Sequence, residues 1–409
     1  MRVLTSITGS QGHARDMLPL VRAIAEAGHE VLVVLPPSLA PVYAGEAVRV
    51  EAVLPEMSDS IMAVIAAGAQ TRAREAAESG LPERPPPAMT VFDEMLVMAG
   101  GPHITPTYQL IMALAKDFRP DIVVRDSAEV AITLVAEELG LPHVAGPSGT
   151  TPLIDIERLV GPLNERREEL GLTPRSDPGA LYRYGRFDSV PERYAFSAFD
   201  LPPAIRYRQP AIVARDEVLS REIADLPTDK PLVVAAMGTV LKALWQFAQY
   251  GPPSDVDPFK VLLQSLAAGL SELDCYAVLA TGGLPTDGVE FGANVLVVNQ
   301  MAQPLLLQCA DLFITHGGYN SIREAMIAGT PMAVLPQFGD QPFNADQLEK
   351  LGLGKVIPAT TAAAVHDTCQ AVLSSSAIEQ EIRRARQEML ALPPVESVLP
   401  YLESLVPNS

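Results

Sequence analysis

The sequence predicts an α/β protein made of parallel sheets with helices on both faces, repeated in more than one domain. Three observations lead there. Arg2 to Ile7 reads as a first strand, His13 to Ala27 carries Leu18, Val21, Ile24 and Ala25 on one helical face, and Val31 to Leu35 reads as the next strand. This is a βαβ unit, and strand and helix patterns go on alternating beyond it. From Pro202 through Pro227 the pattern weakens, and Pro231-Leu-Val-Val-Ala-Ala-Met237 then opens a second sheet. The length agrees, because 409 residues exceed one ordinary domain and allow two or three, each burying its own core.

Composition narrows the class. With 48% hydrophobic and 19% charged residues the chain is globular. Its net charge of −19 argues against a nucleic-acid or anionic-membrane partner, since such binding needs a basic face. Cys275, Cys309 and Cys369 are far apart and fit no metal or redox spacing, so buried thiols in a reducing compartment are expected. Met1 to Ile7 enters a strand pattern at once, without the apolar core and cleavage site of a signal peptide, and no run approaches the length that spans a bilayer. A soluble, cytoplasmic protein is the expectation.

In the first domain, Thr8 to Gly12 is a turn with two glycines. GSQGHA at residues 9–14 lacks the dinucleotide-binding glycine pattern, and no acidic residue closes the second strand, so a nicotinamide enzyme is not expected. Asp16 is placed in the first helical turn, where a carboxylate complements the dipole. Arg119-Pro-Asp-Ile-Val-Val-Arg-Asp126 reads as a further strand with a helix from Ser127, for which Asp126 would serve as N-cap; Asp121 lies at the strand's other end. Residues 54–112 are the least regular part, with helical pieces around Pro82 to Pro87. Met57, Met62, Met89, Phe92, Met95, Met98 and His103 there would suit an adaptable apolar pocket, or simply pack helices on the sheet. His29 and His143, near strand starts, read as structural.

The second domain continues with a helix from Pro258 to Leu270 and strands at Cys275 to Ala280 and Val295 to Val298. Its most informative stretch is Thr315 to Gln341, THGGYNSIREAMIAGTPMAVLPQFGDQ. Asp311 to Thr315 is a strand, Ser321 to Ala328 a helix stopped by Gly329 and Pro331, and His316-Gly317-Gly318 the turn between them. Backbone N–H groups of such a turn converge at the helix's positive end and form a phosphate seat. Ser321-Ile-Arg-Glu324 also fits a capping box, which needs no ligand.

A His-x-Gly turn, Asn-Ser, a Glu three residues on and Asp-Gln about sixteen residues later resemble the nucleotide-sugar signature of the family 1 glycosyltransferases. Here these are His316, Gly318, Asn320-Ser321, Glu324 and Asp340-Gln341. The resemblance implies that His316 and the turn Gly317, Gly318, Asn320 and Ser321 hold the donor diphosphate, that Glu324 accepts from the ribose hydroxyls, and that Asp340 and Gln341 read the sugar. Gly12-His13, Leu18-Pro19-Leu20 and Ala27 to Val31 resemble the opening of bacterial members, which implies His13 as general base. Asp16 departs from the family, which often has proline there. The Asp121 to Asp126 strand resembles the segment whose last Asp orients that base, which implies Asp126, although the N-cap role remains open. Met237-Gly-Thr239 resembles the first strand-loop of the donor domain, implying a contact from Thr239. Gln300-Met-Ala-Gln303 stands where the family shows Trp-Val-Pro-Gln; Gln303 fits, the base-stacking tryptophan is replaced by Gln300, and the Met301 backbone is left to read the base. Val395 to Leu405 resembles the closing segment that crosses back to the first domain.

The expectation is therefore a GT-B architecture, two Rossmann-like domains facing across a cleft: residues 1–201 for the acceptor, a linker at 202–228, residues 229–391 for the donor, and 392–409 crossing back. The expected reaction is inverting transfer from a dTDP- or UDP-sugar to a hydroxyl of a hydrophobic natural-product acceptor, bound by Met57, Phe92, Met95 and His103. No cofactor and no metal are expected, the partners being the two small-molecule substrates, with a homodimer left open. The alternatives are a catalytically silent auxiliary partner of another transferase and a sugar-nucleotide epimerase of the same architecture.

Overall fold

A computed structural model describes residues 1–79, 89–147, 149, 153–212, 217–248 and 257–406. The segment Pro82 to Pro87 and residues 249–256 lie outside the described residues. The chain divides into two compact units. Unit 1 comprises Met1–Ser189, Ser197–Gln209 and Pro393–Ser409; unit 2 comprises Val190–Phe196 and Pro210–Leu392.

Unit 1 begins with β1 (Arg2–Ser6), α1 (Gln11–Glu26), β2 (Glu30–Leu35) and β3 (Arg49–Ala52). Residues 54–112 supply α2 (Met57–Ser79), α3 (Val91–Gly100) and the start of α4 (Ile104–Phe118), with Met62 and Met89 exposed. β4 (Ile122–Arg125), α5 (Ala131–Leu139), β5 (His143–Ala145) and α6 (Ile156–Glu169) follow. The sheet runs β3-β2-β1-β4-β5, every pair parallel. Val3, Leu4, Val31 to Leu35 and Ile122 to Val124 are buried on both faces, which is why these strands read as unbroken apolar runs. A two-stranded parallel pair, β6 (Phe187–Asp188) and β7 (Ile205–Arg206), joins the same unit.

Two expectations about this unit are corrected. Asp16 is not in the first turn of α1, because the helix begins at Gln11 behind its N-cap Ser10; Asp16 is buried instead, and its Oδ1 accepts from Gln209 Nε2 at 2.9 Å. The boundary is also narrower than the composition suggests. Tyr207 and Gln209 are buried in unit 1, whereas Val190–Phe196, expected in the first domain, belongs with unit 2, which takes the chain again from Pro210. The closing helix Leu399–Leu405 belongs to unit 1, where Leu402 is buried and Tyr401 Oη donates to the Tyr184 carbonyl at 3.0 Å.

Unit 2 contains α7 (Arg221–Ala224), β8 (Leu232–Ala236), α8 (Leu241–Ala248), α9 (Pro258–Glu272), β9 (Tyr276–Ala280), β10 (Val295–Val298), α10 (Gln303–Leu306), β11 (Leu312–Thr315), α11 (Tyr319–Ala328), β12 (Met332–Val334), α12 (Gln341–Lys350), β13 (Gly354–Val356), α13 (Ala362–Leu373) and α14 (Ser376–Ala391). Its sheet runs β10-β9-β8-β11-β12-β13, again parallel throughout. One apolar cluster covers each face: Val234, Phe313, Ile322 and Met326 on one side, Val233, Leu266, Ile314 and Val365 on the other. Cys275 and Cys369 are buried as expected, but Cys309, in the turn after α10, is exposed, and all three thiols are free.

Both sheets share one topological feature. The chain leaves the first strand toward one edge and later returns to that strand's other side, so β1 lies between β2 and β4, and β8 between β9 and β11. At such a switch point the two connections diverge and leave a crevice at the carboxyl ends of the strands.

Candidate active site

In unit 1 the crevice holds the two residues expected to act together. Val3 pairs with Ile122 and Leu4 with Val123, so the segments leaving β1 and β4 start side by side. One carries His13 in the first turn of α1, the other starts with Asp126. His13 Nδ1 and Asp126 Oδ2 are 2.8 Å apart, with the carboxylate 1% and the imidazole 18% exposed. Asp126 Oδ1 also accepts from Ala128 N at 3.1 Å, so both carboxylate oxygens are held. The N-cap role for Asp126 is not realised, because α5 starts at Ala131 rather than at Ser127. Glu129 serves that helix end, accepting from Ala131 N at 2.9 Å and Ile132 N at 3.2 Å, and from the Ser6 hydroxyl. Burial raises the Glu129 pKa, and these donors oppose the rise. Asp121 sits at the sheet's opposite edge and accepts from Arg2 N at 2.5 Å.

His13 is seated on the turn before it. Gly9 has φ +81°, and a Cβ there would lie 3.1 Å from His13 Cδ2, so the ring packs where any other residue would put a side chain. On its other side His13 lines a cavity with Met57, Met95, Met98, His103 and Ile154. Among the described residues no Lys or Arg lines it, Glu129 does, and burial lowers the His103 pKa, so beside that carboxyl the surface offers apolar contact and, from His103, an uncharged imidazole at neutral pH. Met57, Met95 and His103 are thus brought together with His13. Phe92 is not: it packs edge-to-face on Phe199, ring centroids 5.4 Å apart, outside the cavity lining. His29 and His143 have structural surroundings, His29 Nε2 lying 3.1 Å from Glu403 Oε1 and His143 buried with its ring edge-on to Tyr184.

In unit 2 the corresponding crevice lies between the segments that leave β8 and β11. Gly238, φ +81°, follows β8, and a Cβ on it would lie 2.7 Å from His316 Cε1 and Nε2; the imidazole fills that space. Burial pushes His316 down to about 4, against an opposing backbone hydrogen bond with Ala236, so the ring is uncharged near neutral pH. Thr239 is exposed beside it. α11 begins at Tyr319, two residues before Ser321, with Gly318 as N-cap and no side-chain cap. The capping box is therefore absent. Ser321 and Glu324 instead meet Gln303, whose Nε2 lies 3.3 Å from Ser321 Oγ and 2.7 Å from Glu324 Oε2. Gln303 N in turn donates to the Met301 carbonyl at 2.9 Å.

The loop after β12 closes on the same turn. Asp340 Oδ2 accepts from Asn344 Nδ2 at 2.7 Å, and that amide also donates to the Gly317 carbonyl at 3.0 Å. Gln341 is buried, and its Oε1 accepts from Gln337 N at 2.9 Å and Phe338 N at 3.2 Å, so its carbonyl oxygen holds its own loop and does not serve as a reader of hydroxyls. Asn320 lies in the first turn of α11, 3.3 Å from Arg323 Nη2. Sequence reasoning missed Gly238 and Asn344. Asn344, four residues after Asp340, was recoverable from helical spacing; Gly238 became legible only once β8 and β11 were neighbours.

Residues 264–405 match the model of the erythromycin biosynthesis protein CIII-like C-terminal domain. The chain is 24% identical to the aclacinomycin-T 2-deoxy-L-fucose transferase of Streptomyces galilaeus, over 99% of this chain and 96% of that one. It is 27% identical to the tylactone mycaminosyltransferase of Streptomyces fradiae, over 99% and 92%. Its fold is similar to the Streptomyces sp. SF2575 glycosyltransferase SsfS6 complexed with thymidine diphosphate, at 21% identity, with a TM-score of 0.73 and 99% of each chain covered. Two parallel sheets of Rossmann order and this likeness to solved glycosyltransferase structures show that the chain has the GT-B fold.

Proposed function

We propose that the protein moves a sugar, with inversion, from a dTDP- or UDP-sugar bound by unit 2 to a hydroxyl of a hydrophobic small molecule bound in the apolar cavity of unit 1. The 2.8 Å contact between His13 and Asp126 at the wall of that cavity carries the reading. A carboxylate on Nδ1 fixes the imidazole tautomer and stabilises the imidazolium, so that Nε2 takes the acceptor's proton as its oxygen attacks. That thymidine diphosphate is bound by a protein of similar fold supports dTDP as the nucleotide.

On the donor side, the uncapped N-terminus of α11 after Gly317-Gly318 would receive the diphosphate, with the neutral His316 donating a hydrogen bond rather than a charge. Glu324 would accept from the ribose hydroxyls, exchanging or sharing its contact with Gln303. Asp340, and the Gln341 amide nitrogen, would read the sugar; Thr239 and the Met301 backbone complete the donor set. We propose that the transfer is metal-independent. Isothermal titration of the protein with dTDP and UDP, with and without EDTA, tests the donor site, and micromolar EDTA-insensitive binding is expected. Binding to neither nucleotide would leave unit 2 without its assigned role.

A further inference from the structure

The diphosphate seat assigned above has little charge of its own. The α11 N-terminus contributes about half an elementary charge, and the His316 imidazole is neutral at pH 7. The chain carries a net charge of −19, which works against a diphosphate, and the leaving group gains further negative charge as the glycosidic bond breaks. Among the described residues of the connections that leave the carboxyl ends of β8 through β13, and of the first turns of the helices they enter, Lys242 and Lys260 are the only Lys or Arg residues.

The packing distinguishes the two. A Cβ on Gly283 would lie 3.0 Å from Lys242 Nζ, and one on Gly282 would lie 3.3 Å from the Gly238 carbonyl. Gly238 in turn abuts His316. The ammonium of Lys242 thus rests on the side-chain-free turn that adjoins the His316 seat, and it makes no ion pair among the described residues. Lys260 Nζ lies instead against Gly288, further along the β9–β10 connection. We propose that Lys242 is a donor-binding residue whose ammonium pairs with the diphosphate of the nucleotide sugar and with the nucleoside diphosphate that leaves. This rests on the donor reading of unit 2. A flexible four-carbon stem carrying a point charge suits a group that must reach over the phosphates once they arrive.

The test is isothermal titration of the wild-type protein and of Lys242→Gln, Lys242→Arg and Lys260→Gln with dTDP, UDP and thymidine, at low and high salt. Because Lys242 is exposed, the substitutions leave the fold intact, which a melting curve verifies. The expected result is a loss of about ten- to a hundredfold in diphosphate affinity in Lys242→Gln. Thymidine affinity should not change, the Arg variant should retain most binding, Lys260→Gln should behave as wild type, and the salt dependence should be shallower in Lys242→Gln. Wild-type binding of dTDP or UDP that Lys242→Gln leaves unaltered overturns the role of Lys242 and spares the donor site. No binding by the wild type overturns the donor site and the lysine's role with it.

Discussion

Gln303 Nε2 donates to Glu324 Oε2 at 2.7 Å, and this contact holds Glu324 to a side chain after β10 instead of to the N-terminus of its own helix. A capping carboxylate and a ligand carboxylate predict opposite phenotypes. Glu324→Ala should weaken dTDP or UDP binding by about tenfold or more, as expected for losing hydrogen bonds to a charged acceptor. Melting temperature should stay near wild type. A capping role would instead cost about 1 kcal/mol of stability and leave affinity alone. Calorimetry and thermal melts on the same sample distinguish the two.

His13→Ala should lower turnover by roughly two to four orders of magnitude, the usual loss for a positioned base. Asp126→Asn should approach that loss, because an amide offers His13 Nδ1 a donor as readily as an acceptor and no longer stabilises the imidazolium. Nucleotide affinity should survive both changes, since both residues belong to unit 1. Near-normal turnover in His13→Ala would remove the dyad from the mechanism.

Gly238→Ala would place a methyl 2.7 Å from the His316 ring at a backbone φ of +81°. The left-handed conformation alone costs roughly 1–2 kcal/mol for a non-glycine residue. The ring must also move. We expect a folded protein whose dTDP affinity falls by an order of magnitude or more, measured by titration. Gly9→Ala, with its methyl 3.1 Å from His13 Cδ2, should reduce turnover and not nucleotide binding.

Acid should destabilise the protein through its buried histidines. His143 is pushed down to about 3, by burial first and then by the charges of Arg125, Arg175 and Arg183. The unfolded chain takes a proton on His143 near pH 6.5. The folded one does not until about pH 3. Stability is therefore full above that unfolded value and is lost progressively as pH falls toward the folded one. His316 acts in the same direction down to about 4. Urea midpoints measured from pH 7 to 4 should fall, and His143→Phe, which keeps a ring against Tyr184, should flatten that fall. An unchanged slope in the variant would show that other groups carry the acid limb.

Much of the architecture was legible because parallel strands buried on both faces must be apolar along their whole length. Val31 to Leu35, Ile122 to Val124 and Leu312 to Ile314 announce themselves in that way. Helix starts were less legible. The pattern put helix starts at Ser127 and Ser321, and the structure puts them at Ala131 and Tyr319. Capping chemistry is local and degenerate: a Ser or Asp can cap, accept in a turn, or face a ligand. Only the position of the preceding strand end selects among these. Asp16 was misplaced for the same reason, since its partner Gln209 is remote in sequence and nothing local signals a buried carboxylate.

The sequence by itself determined the alternation of strand and helix, the apolar cores, and the order His316 to Gln341 with its glycine turn, because these depend on periodicity and spacing within a few residues. Tertiary structure decided which residues meet. His13 and Asp126 are separated by 113 positions and touch because β1 and β4 are neighbours at a switch point. Gln303 reaches Glu324, and Gly238 admits His316, because strand order brings the ends of β10, β8 and β11 to one edge. Spacing along a chain carries no information on strand order, which is set by how the whole sheet buries its two faces, and so the site's geometry is a property of the sheet.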